Sequence, residues 1–325
     1  MGWFVGFGGK CELFSLHLVS RSCDPKLRGL PALSIKRLVR PVLIAIVPAA
    51  LAATAIAVSL PAGAAHAGAP ARVASHKQAA VVNVFPGAAT LAGRAGLDDT
   101  QTGPNWAGFV VTGPKFRYVK ATFYVPRLNC HKTPGSTRLP ALGADWVGLD
   151  GYNQSNPTVE QDGVTAQCQN GVPSYSAWYE MFPKPPVYPN MVISPGDKIV
   201  ADVFYDRVKH KYRLDLADVT DGQGFSLWQR CPNHFCQNIS AEVITESPAE
   251  SASVNSKYYP LADIGTSNFW HVAVSDMAGQ KAGLSSGSWN TTRLVMTGNA
   301  GRVKASTSGL GGGGTAFRTY WEHAS

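Results

Sequence analysis

From about Gln101 onward, the chain consists of short segments in which polar and apolar residues alternate, and no other feature constrains the fold as strongly. In "KYRLDLADV", Tyr212, Leu214 and Leu216 fall on one side of an extended chain, and charged residues fall on the other. The segments "FRYVKATFYVP", "DKIVADVFYD", "TRLVMTG" and "TAFRTYWE" behave similarly and are rich in aromatic and β-branched residues. Gly, Pro, Asn and Asp separate these segments, and no long stretch shows helical periodicity. The sequence therefore predicts one antiparallel all-β domain over residues 101–325, either a sandwich or a barrel.

The region before this domain predicts targeting and processing. Residues 1–35 match no targeting pattern, and we interpret them as an upstream segment from a start codon assigned too early. Residues 36–67 combine a basic start, the apolar run "PVLIAIVPAALAATAIAVSL" and the end "AHA", which is typical of a secretory signal peptide. A membrane anchor is the alternative, but Pro48 and the small-residue end favour cleavage. Residues 68–100 are predicted to be a pro-segment or linker, so we expect a secreted, extracellular protein without stable membrane association.

The charge of the chain gives no indication of a nucleic-acid partner. The full sequence has a formal net charge of +8, but residues 1–67 hold seven of the 29 Lys and Arg residues and two of the 21 Asp and Glu residues. The remainder therefore carries a net charge of +3, and it shows no basic stripe. We expect no nucleic-acid binding and a monomeric protein.

Four cysteines follow the predicted signal peptide, an even number that indicates two disulfides in an exported chain. Three pairings are possible. We favour Cys231–Cys236, which closes a short loop, together with Cys130–Cys168. A metal site in "CPNHFC" that uses His234 is the alternative, but its spacing fits no standard zinc pattern.

Several familiar catalytic signatures do not fit their required contexts. The segment "GLSSG" (283–287) has the spacing of a nucleophile elbow, but it lies in a Gly- and Ser-rich stretch that predicts a loop. The segment "DIGTS" (263–267) does not reproduce the signature of aspartic proteases. The sequence contains no HExxH helix and no phosphate-binding glycine loop, so we expect neither a metal nor a cofactor.

Two segments place acidic residues at alternating positions. In "TVEQDGV", an extended chain puts Glu160 and Asp162 on one face and Gln161 on the other, with Val159. We expect the two acids to face away from any cleft and to contribute to solubility. In "AEVITESP", Glu242 and Glu246 share a face with Ile244, which suits the floor of a cleft better than a dry core.

Six short islands carry a family resemblance. They are "NWAGF", "DWVGLDG", "QDG", "SAWYEMFP", "SAEVITESP" and "LADIGTSNF". In this order they resemble the glutamic peptidases (eqolisins), whose islands are Asn-Trp-x-Gly, Trp-Val-Gly-Ile-Asp-Gly, Gln-x-Gly, Trp-Tyr-Glu-Trp-x-Pro, Ala-Glu-Trp-Ile-x-Glu and Asp-Phe-Gly. The resemblance covers roughly residues 101–270. It implies a concanavalin-like sandwich of two packed antiparallel sheets and an endopeptidase that hydrolyses polypeptide substrates in acid.

The resemblance also assigns expected roles to individual residues. The family's catalytic glutamine falls on Gln161 and its catalytic glutamate on Glu246. Trp146 and Asp150 match the segment beside the active site, and Glu180 matches an acid on the substrate-facing side. These three residues are expected to support or bind the substrate.

Three positions depart from the family pattern. Met181 and Val243 replace tryptophans, and Asp162 replaces a small or hydroxyl residue after the glutamine. The changes spare the catalytic pair, and we expect them to reshape the cleft.

A glutamine and a glutamate together can hydrolyse a peptide bond. Glu246 would take a proton from water and pass it to the leaving amine, while the neutral amide of Gln161 would donate a hydrogen bond to the oxyanion. We expect the amide to lower the pKa of Glu246, which would keep a base available in acid. The alternatives are a carbohydrate-binding, lectin-like module on the same fold and a glycosidase that uses Glu180 and Glu246.

Overall fold

The structure, a computed structural model, describes residues 99–153, 156, 158–251, 257–298 and 301–325. The predicted upstream segment and signal peptide lie outside the described residues, as does the predicted pro-segment except for Asp99 and Thr100. No helix within the described ranges is long and apolar enough to cross a membrane.

The described chain is built from fifteen β-strands and a short 3-10 helix, Pro232–His234. The strands are β1 Asp99–Gly103, β2 Trp106–Thr112, β3 Phe116–Tyr124, β4 Ala141–Leu149, β5 Val159–Gln169, β6 Val172–Phe182, β7 Lys198–Asp206, β8 Lys211–Asp218, β9 Gln223–Gln229, β10 Ser240–Glu246, β11 Thr266–Asp276, β12 Lys281–Ala282, β13 Asn290–Thr297, β14 Val303–Thr307 and β15 Phe317–Trp321. The segments with alternating polarity all fall on strands, and "GLSSG" lies in the loop between β12 and β13. The predicted antiparallel all-β fold class is confirmed.

Hydrogen bonds join the strands in one continuous path rather than in two separate sheets. The order is β6-β5-β4-β10-β2-β13-β14-β15-β11-β3-β7-β8-β9, with β1 beside β13 and β12 beside β11. All of these pairs are antiparallel except β1 with β13. The two ends of the path face each other, because β3 contacts β4 and β10, while β7 and β8 contact β5.

The main hydrophobic core lies between these facing strands. Alternation turns every second residue of β4, β5 and β10 toward it. Buried apolar side chains from both layers meet there, among them Val119, Phe123, Val147, Leu149, Val164, Ile199, Val203, Leu214, Leu216, Ala241 and Val243.

The opposite face of β4, β5 and β10 carries a second, smaller cluster. It contains Trp146 and Ile244 from these strands, together with Trp106 and Trp178 from the neighbouring strands β2 and β6, and all four are buried. The rings of Trp106 and Trp146 meet edge to face, with centroids 5.0 Å apart. We call this side of the three strands the tryptophan face, and it also carries the polar residues of the candidate site.

Gly163 makes room for Trp146 on the tryptophan face, since the two residues are directly paired between β5 and β4. A Cβ added at Gly163 would lie 2.5 Å from the Cβ of Trp146 and closer still to the carbonyl oxygen of Asp145. We therefore expect Gly163→Ala to lower the free energy of unfolding by about 3 kcal/mol, measured by denaturant titration. The control is Gly287→Ala, where no heavy atom lies within 4 Å of the added Cβ. Equal stability of both variants would contradict this packing argument.

Both favoured disulfides are present. Cys130 bonds to Cys168 and Cys231 bonds to Cys236, with Cα atoms 5.5 and 5.9 Å apart. The sulfurs of "CPNHFC" are therefore bonded to each other, and they do not form the alternative metal site with His234.

The structure corrects the expectation for the acids beside Gln161. Glu160 and Asp162 do face away from Gln161, but both are fully buried and lie on the core side. They therefore make no contribution to a solvated surface. Met181 and Val243 also lie in the main core, so the departures from the family pattern change the packing behind the tryptophan face rather than its surface.

Candidate active site

Glu246 is the last residue of β10. Its carboxyl group accepts hydrogen bonds from one side chain on β4 and from another just before β2. Asn105, just before β2, donates from Nδ2 to Oε1 over 3.1 Å. The indole Nε1 of Trp146 donates to Oε2 over 2.8 Å. These donors come from positions 141 and 100 residues away in the sequence, so only the folded sheet brings them to the carboxyl group.

Gln161 lies on the same face, two strands away on β5. Its backbone is paired with Gly148 on one side and with Glu180 on the other. Its Nε2 donates to Oε2 of Glu180 over 2.6 Å. Since an amide nitrogen carries two protons, this bond fixes the amide and leaves a second proton for another acceptor.

The ring of Trp146 connects the two parts of the site. One edge of the indole bonds to Glu246. The opposite edge covers Gly148, because a Cβ added to Gly148 would lie 2.9 Å from Cζ3 of Trp146 and 3.2 Å from Cβ of Gln161. The indole thus spans the diagonal from Glu246 to Gln161, and Gly148 is the position that leaves room for it.

Asp150 has a different environment. It is fully buried at the end of β4 and has a positive φ of 69°. Its carboxyl oxygens accept three backbone hydrogen bonds of 2.8 Å each, from the N–H groups of Gln237, Asn238 and Ile239. This arrangement anchors the segment that leads into β10, the strand that ends at Glu246.

Burial dominates the electrostatics of the site. It raises the pKa of Glu246 to about 8, although hydrogen bonds from Trp106, Trp146 and Asn105 and the charge of Lys304 act in the opposite direction. Burial also raises the pKa of Glu180 well above its usual range; the bond from Gln161 lowers it and the nearby Glu246 raises it. The expectation that Gln161 lowers the pKa of Glu246 is therefore wrong, since Gln161 bonds to Glu180 and the net shift of Glu246 is upward.

Aromatic side chains from two irregular segments border the site. Tyr188 follows β6, and burial together with the Glu180 carboxyl raises its pKa. Tyr258 precedes β11, and burial together with the Glu246 carboxyl raises its pKa to about 12. Gln161 and Glu246 have no accessible surface in this arrangement.

Sequence reasoning did not identify Asn105, Trp106, Ser247 and Lys304 as residues of the site. Asn105 stands in the island "NWAGF", but nothing in the sequence indicates that it bonds to Glu246. Ser247 and Lys304 are both buried, and Nζ of Lys304 donates a hydrogen bond to Oγ of Ser247 over 2.8 Å. A signal for Lys304 was available, since it is a lone lysine in the strand segment "VKAST".

One group of carboxyl oxygens within the described ranges lies close enough together to hold a metal ion. It comprises Asp197, Asp218 and Asp221, whose ligand atoms lie within 4.8 Å of one another. These residues stand at the ends of β7 and β8, strands that carry no residue of the candidate site.

The fold and the site together define an antiparallel all-β protein with a buried carboxyl–amide site. The chain belongs to the Peptidase A4 family, whose sequence pattern matches residues 104–315. This membership confirms the resemblance to the glutamic peptidases.

Individual relatives agree with this assignment. Aspergillopepsin-2 from Aspergillus niger is 29% identical over 122 residues, which cover 33% of this chain and 43% of that protein. Scytalidopepsin B from Scytalidium lignicola is 33% identical over 100 residues, which cover 30% of this chain and 34% of that protein. The matched stretches thus span less than half of either relative.

The fold also matches a solved structure. Scytalido-glutamic peptidase, crystallised with a peptide-based transition-state analogue, superimposes with a TM-score of 0.56 at 24% identity. The match covers 67% of this chain and 98% of that one. This likeness supports the fold.

Proposed function

We propose that the protein is a glutamic endopeptidase that hydrolyses peptide bonds with Glu246 and Gln161. The observation that carries the proposal is the shared face: both side chains stand on the tryptophan face, and the indole of Trp146 extends from Glu246 to Gly148, the residue paired with Gln161. Membership of the Peptidase A4 family supports peptide hydrolysis as the reaction.

Glu246 is the proposed carrier of the proton. In its ionised form it takes a proton from a water molecule as that water attacks the carbonyl carbon, and it then passes the proton to the leaving amine. Because burial raises its pKa to about 8, the ionised form is a minority in acid, but it is a stronger base than an ordinary carboxylate. Ionisation of Glu246 therefore limits the rate on the acid side.

Gln161 is the proposed oxyanion donor. Glu180 accepts one of its amide protons and so orients the group, while the other proton is available to the carbonyl oxygen on which negative charge develops. A neutral amide provides this donor at any pH. Glu180 is then a positioning residue for Gln161 rather than a second proton carrier.

The same proposal extends to the arrangement of the sheet, the secretion and oligomeric state of the protein, and its substrates. We infer that the facing strands act as a concanavalin-like sandwich and that the enzyme is secreted as a monomer after loss of residues 36–67. The two disulfides support an oxidising compartment. Polypeptide chains are the proposed substrates, and the peptide-based analogue bound to scytalido-glutamic peptidase supports that choice.

A variant of Gln161 tests the oxyanion role. We expect Gln161→Met, which keeps the length of the side chain but donates no hydrogen bond, to lower kcat by about 10² to 10³ with little change in KM. The assay follows cleavage of an acid-unfolded protein at pH 3–6. The control is Gln167→Met on the same face of β5, which should retain activity.

The same experiment separates the alternatives. A lectin would bind polysaccharide and leave the protein substrate intact, whereas a glycosidase would release sugar. Wild-type protein that cleaves no polypeptide would overturn the proposed function. Equal activity of the Gln161 and Gln167 variants would overturn the assigned role of Gln161 alone.

A further inference from the structure

Lys304 is a buried cation next to the proposed catalytic carboxyl group. It lies on β14, with only 4% of its surface exposed. Its Nζ donates to Oγ of Ser247 over 2.8 Å, and that hydroxyl donates to the carbonyl oxygen of Tyr259 over 2.6 Å. Ser247 directly follows Glu246, and its N–H donates to the carbonyl oxygen of Asn105 over 2.8 Å. The ammonium group is thus tied to the backbone segment that carries Glu246.

A buried lysine requires compensation, because removing an ammonium group from water is costly unless an opposite charge or hydrogen bonds replace the water. Ser247 supplies one hydrogen bond, and Glu246 is the negative group whose charge acts on Lys304. Burial lowers the pKa of Lys304 to about 8, and Glu246 raises it. Below that pH the ammonium group is charged.

The direction of the hydrogen bonds excludes a serine nucleophile. In a serine–lysine pair, a neutral lysine accepts the serine proton. Here the lysine donates and Ser247 gives its own proton to a carbonyl oxygen. The Lys304–Ser247 pair therefore positions a positive charge beside the segment that carries Glu246, and it does not activate the Ser247 hydroxyl group.

We propose that Lys304 is a positioning residue that extends the activity of this enzyme toward acid by favouring the ionised form of Glu246. This inference rests on the proposed function of Glu246. The other titratable groups that face Glu246 are Glu180, whose charge would oppose ionisation, and Tyr258, which is neutral in acid. Glu322 and His323 follow β15 and approach Lys304 through their backbone N–H groups, which donate to its carbonyl oxygen. Among these groups, Lys304 is the one whose positive charge lowers the pKa of Glu246.

The decisive variant is Lys304→Met, which keeps the length of the side chain and removes the charge. Loss of a nearby opposite charge should raise the pKa of Glu246 by about one unit. The acid limb of the pH profile of kcat/KM should move upward by the same amount. Below the limb, kcat/KM should fall about tenfold, and above it the change should be less than about twofold.

Two further variants show whether charge is responsible. Lys304→Arg keeps the charge and should restore the wild-type limb, and Lys304→Gln serves as a second neutral variant if the methionine variant does not fold. The matched control is Lys211→Met on β8, a strand without site residues, which should leave the profile unchanged. Far-ultraviolet circular dichroism at pH 4 checks that each variant is folded.

A direct titration separates this inference from the proposed function. The carbonyl stretch of protonated Glu246 is followed by infrared difference spectroscopy and assigned by its absence in Glu246→Gln. A midpoint that rises in Lys304→Met, but not in Lys304→Arg, supports the role of Lys304. An unchanged midpoint in Lys304→Met and Lys304→Gln would overturn it. A midpoint that rises while the kinetic limb stays fixed would support the electrostatic role and overturn the role of Glu246 as the base.

Discussion

Replacing Glu246 with glutamine should abolish peptide hydrolysis, with kcat/KM at least about 10³-fold below wild type. Glutamine has nearly the same shape but neither takes a proton from water nor returns one to the leaving amine. The environment can accept it, since its carbonyl oxygen can take the hydrogen bond from Trp146 while a rotated Asn105 amide accepts from its nitrogen. Circular dichroism and denaturant titration at pH 4 should therefore resemble those of wild type within about 1 kcal/mol.

The matched control is Glu242→Gln. Glu242 lies on the same face of β10, four positions before Glu246, and is equally buried. It is paired with Gly148 and stands on the far side of that residue from Gln161. The variant should hydrolyse the same substrate at a rate close to wild type. Full activity of Glu246→Gln, or equal losses in both variants, would show that this carboxyl group is not the specific proton carrier.

The sequence predicted the sheet and much of the site because both depend on local signals. Alternation in segments such as "KYRLDLADV" specifies a strand and its buried face without any distant contact. The same rule correctly separated Gln161 from its acidic neighbours and placed Glu246 and Ile244 on one face. The order of strands in the sheet is a different property, since it depends on pairings between residues such as Glu246 and Ala144, which lie far apart in the chain.

The electrostatics could not be predicted because burial is decided by layers that meet only after folding. Glu160 and Asp162 read as solvent-facing acids when only their own strand is considered. They are buried because β7 and β8, which follow much later in the chain, cover that side of β5. The partners of Glu246 illustrate the same limit, since Asn105 and Lys304 approach it from opposite ends of the domain sequence.

The buried acids predict an unusual dependence of stability on pH. Buried carboxyl groups with raised pKa values include Asp145, Asp150, Glu160, Asp162, Glu180, Glu242 and Glu246. Burial is the largest cause in each case. For Asp145, whose pKa rises to about 6, hydrogen bonds from Ser267 and Thr245 only partly offset it.

The direction in which the free energy of unfolding changes with pH follows from the number of protons bound by the folded and the unfolded chain. Below about pH 4, these groups are protonated in both the folded and the unfolded chain, so they carry no penalty. As the pH rises, the unfolded chain ionises first, while the folded chain keeps its protons up to about pH 6 at Asp145 and about pH 8 at Glu246. Each such group lowers the free energy of unfolding by about 1.4 kcal/mol per pH unit within its window. Stability should therefore be highest near pH 3–4 and fall with rising pH, the reverse of ordinary acid denaturation.

We expect the free energy of unfolding to drop by about 5 kcal/mol or more between pH 4 and pH 7, a large share of the total for a typical domain. Urea titrations at fixed pH values measure the drop. Two variants locate its origin: Asp162→Asn and Glu160→Gln remove a group that must stay protonated, so each should stabilise the protein at pH 7 and change little at pH 4. Asp99→Asn, at an exposed carboxylate, is the control and should have no effect at either pH. A stability that stays level or increases from pH 4 to pH 7 would contradict this prediction, because it would show that the buried carboxyl groups are compensated in the folded protein.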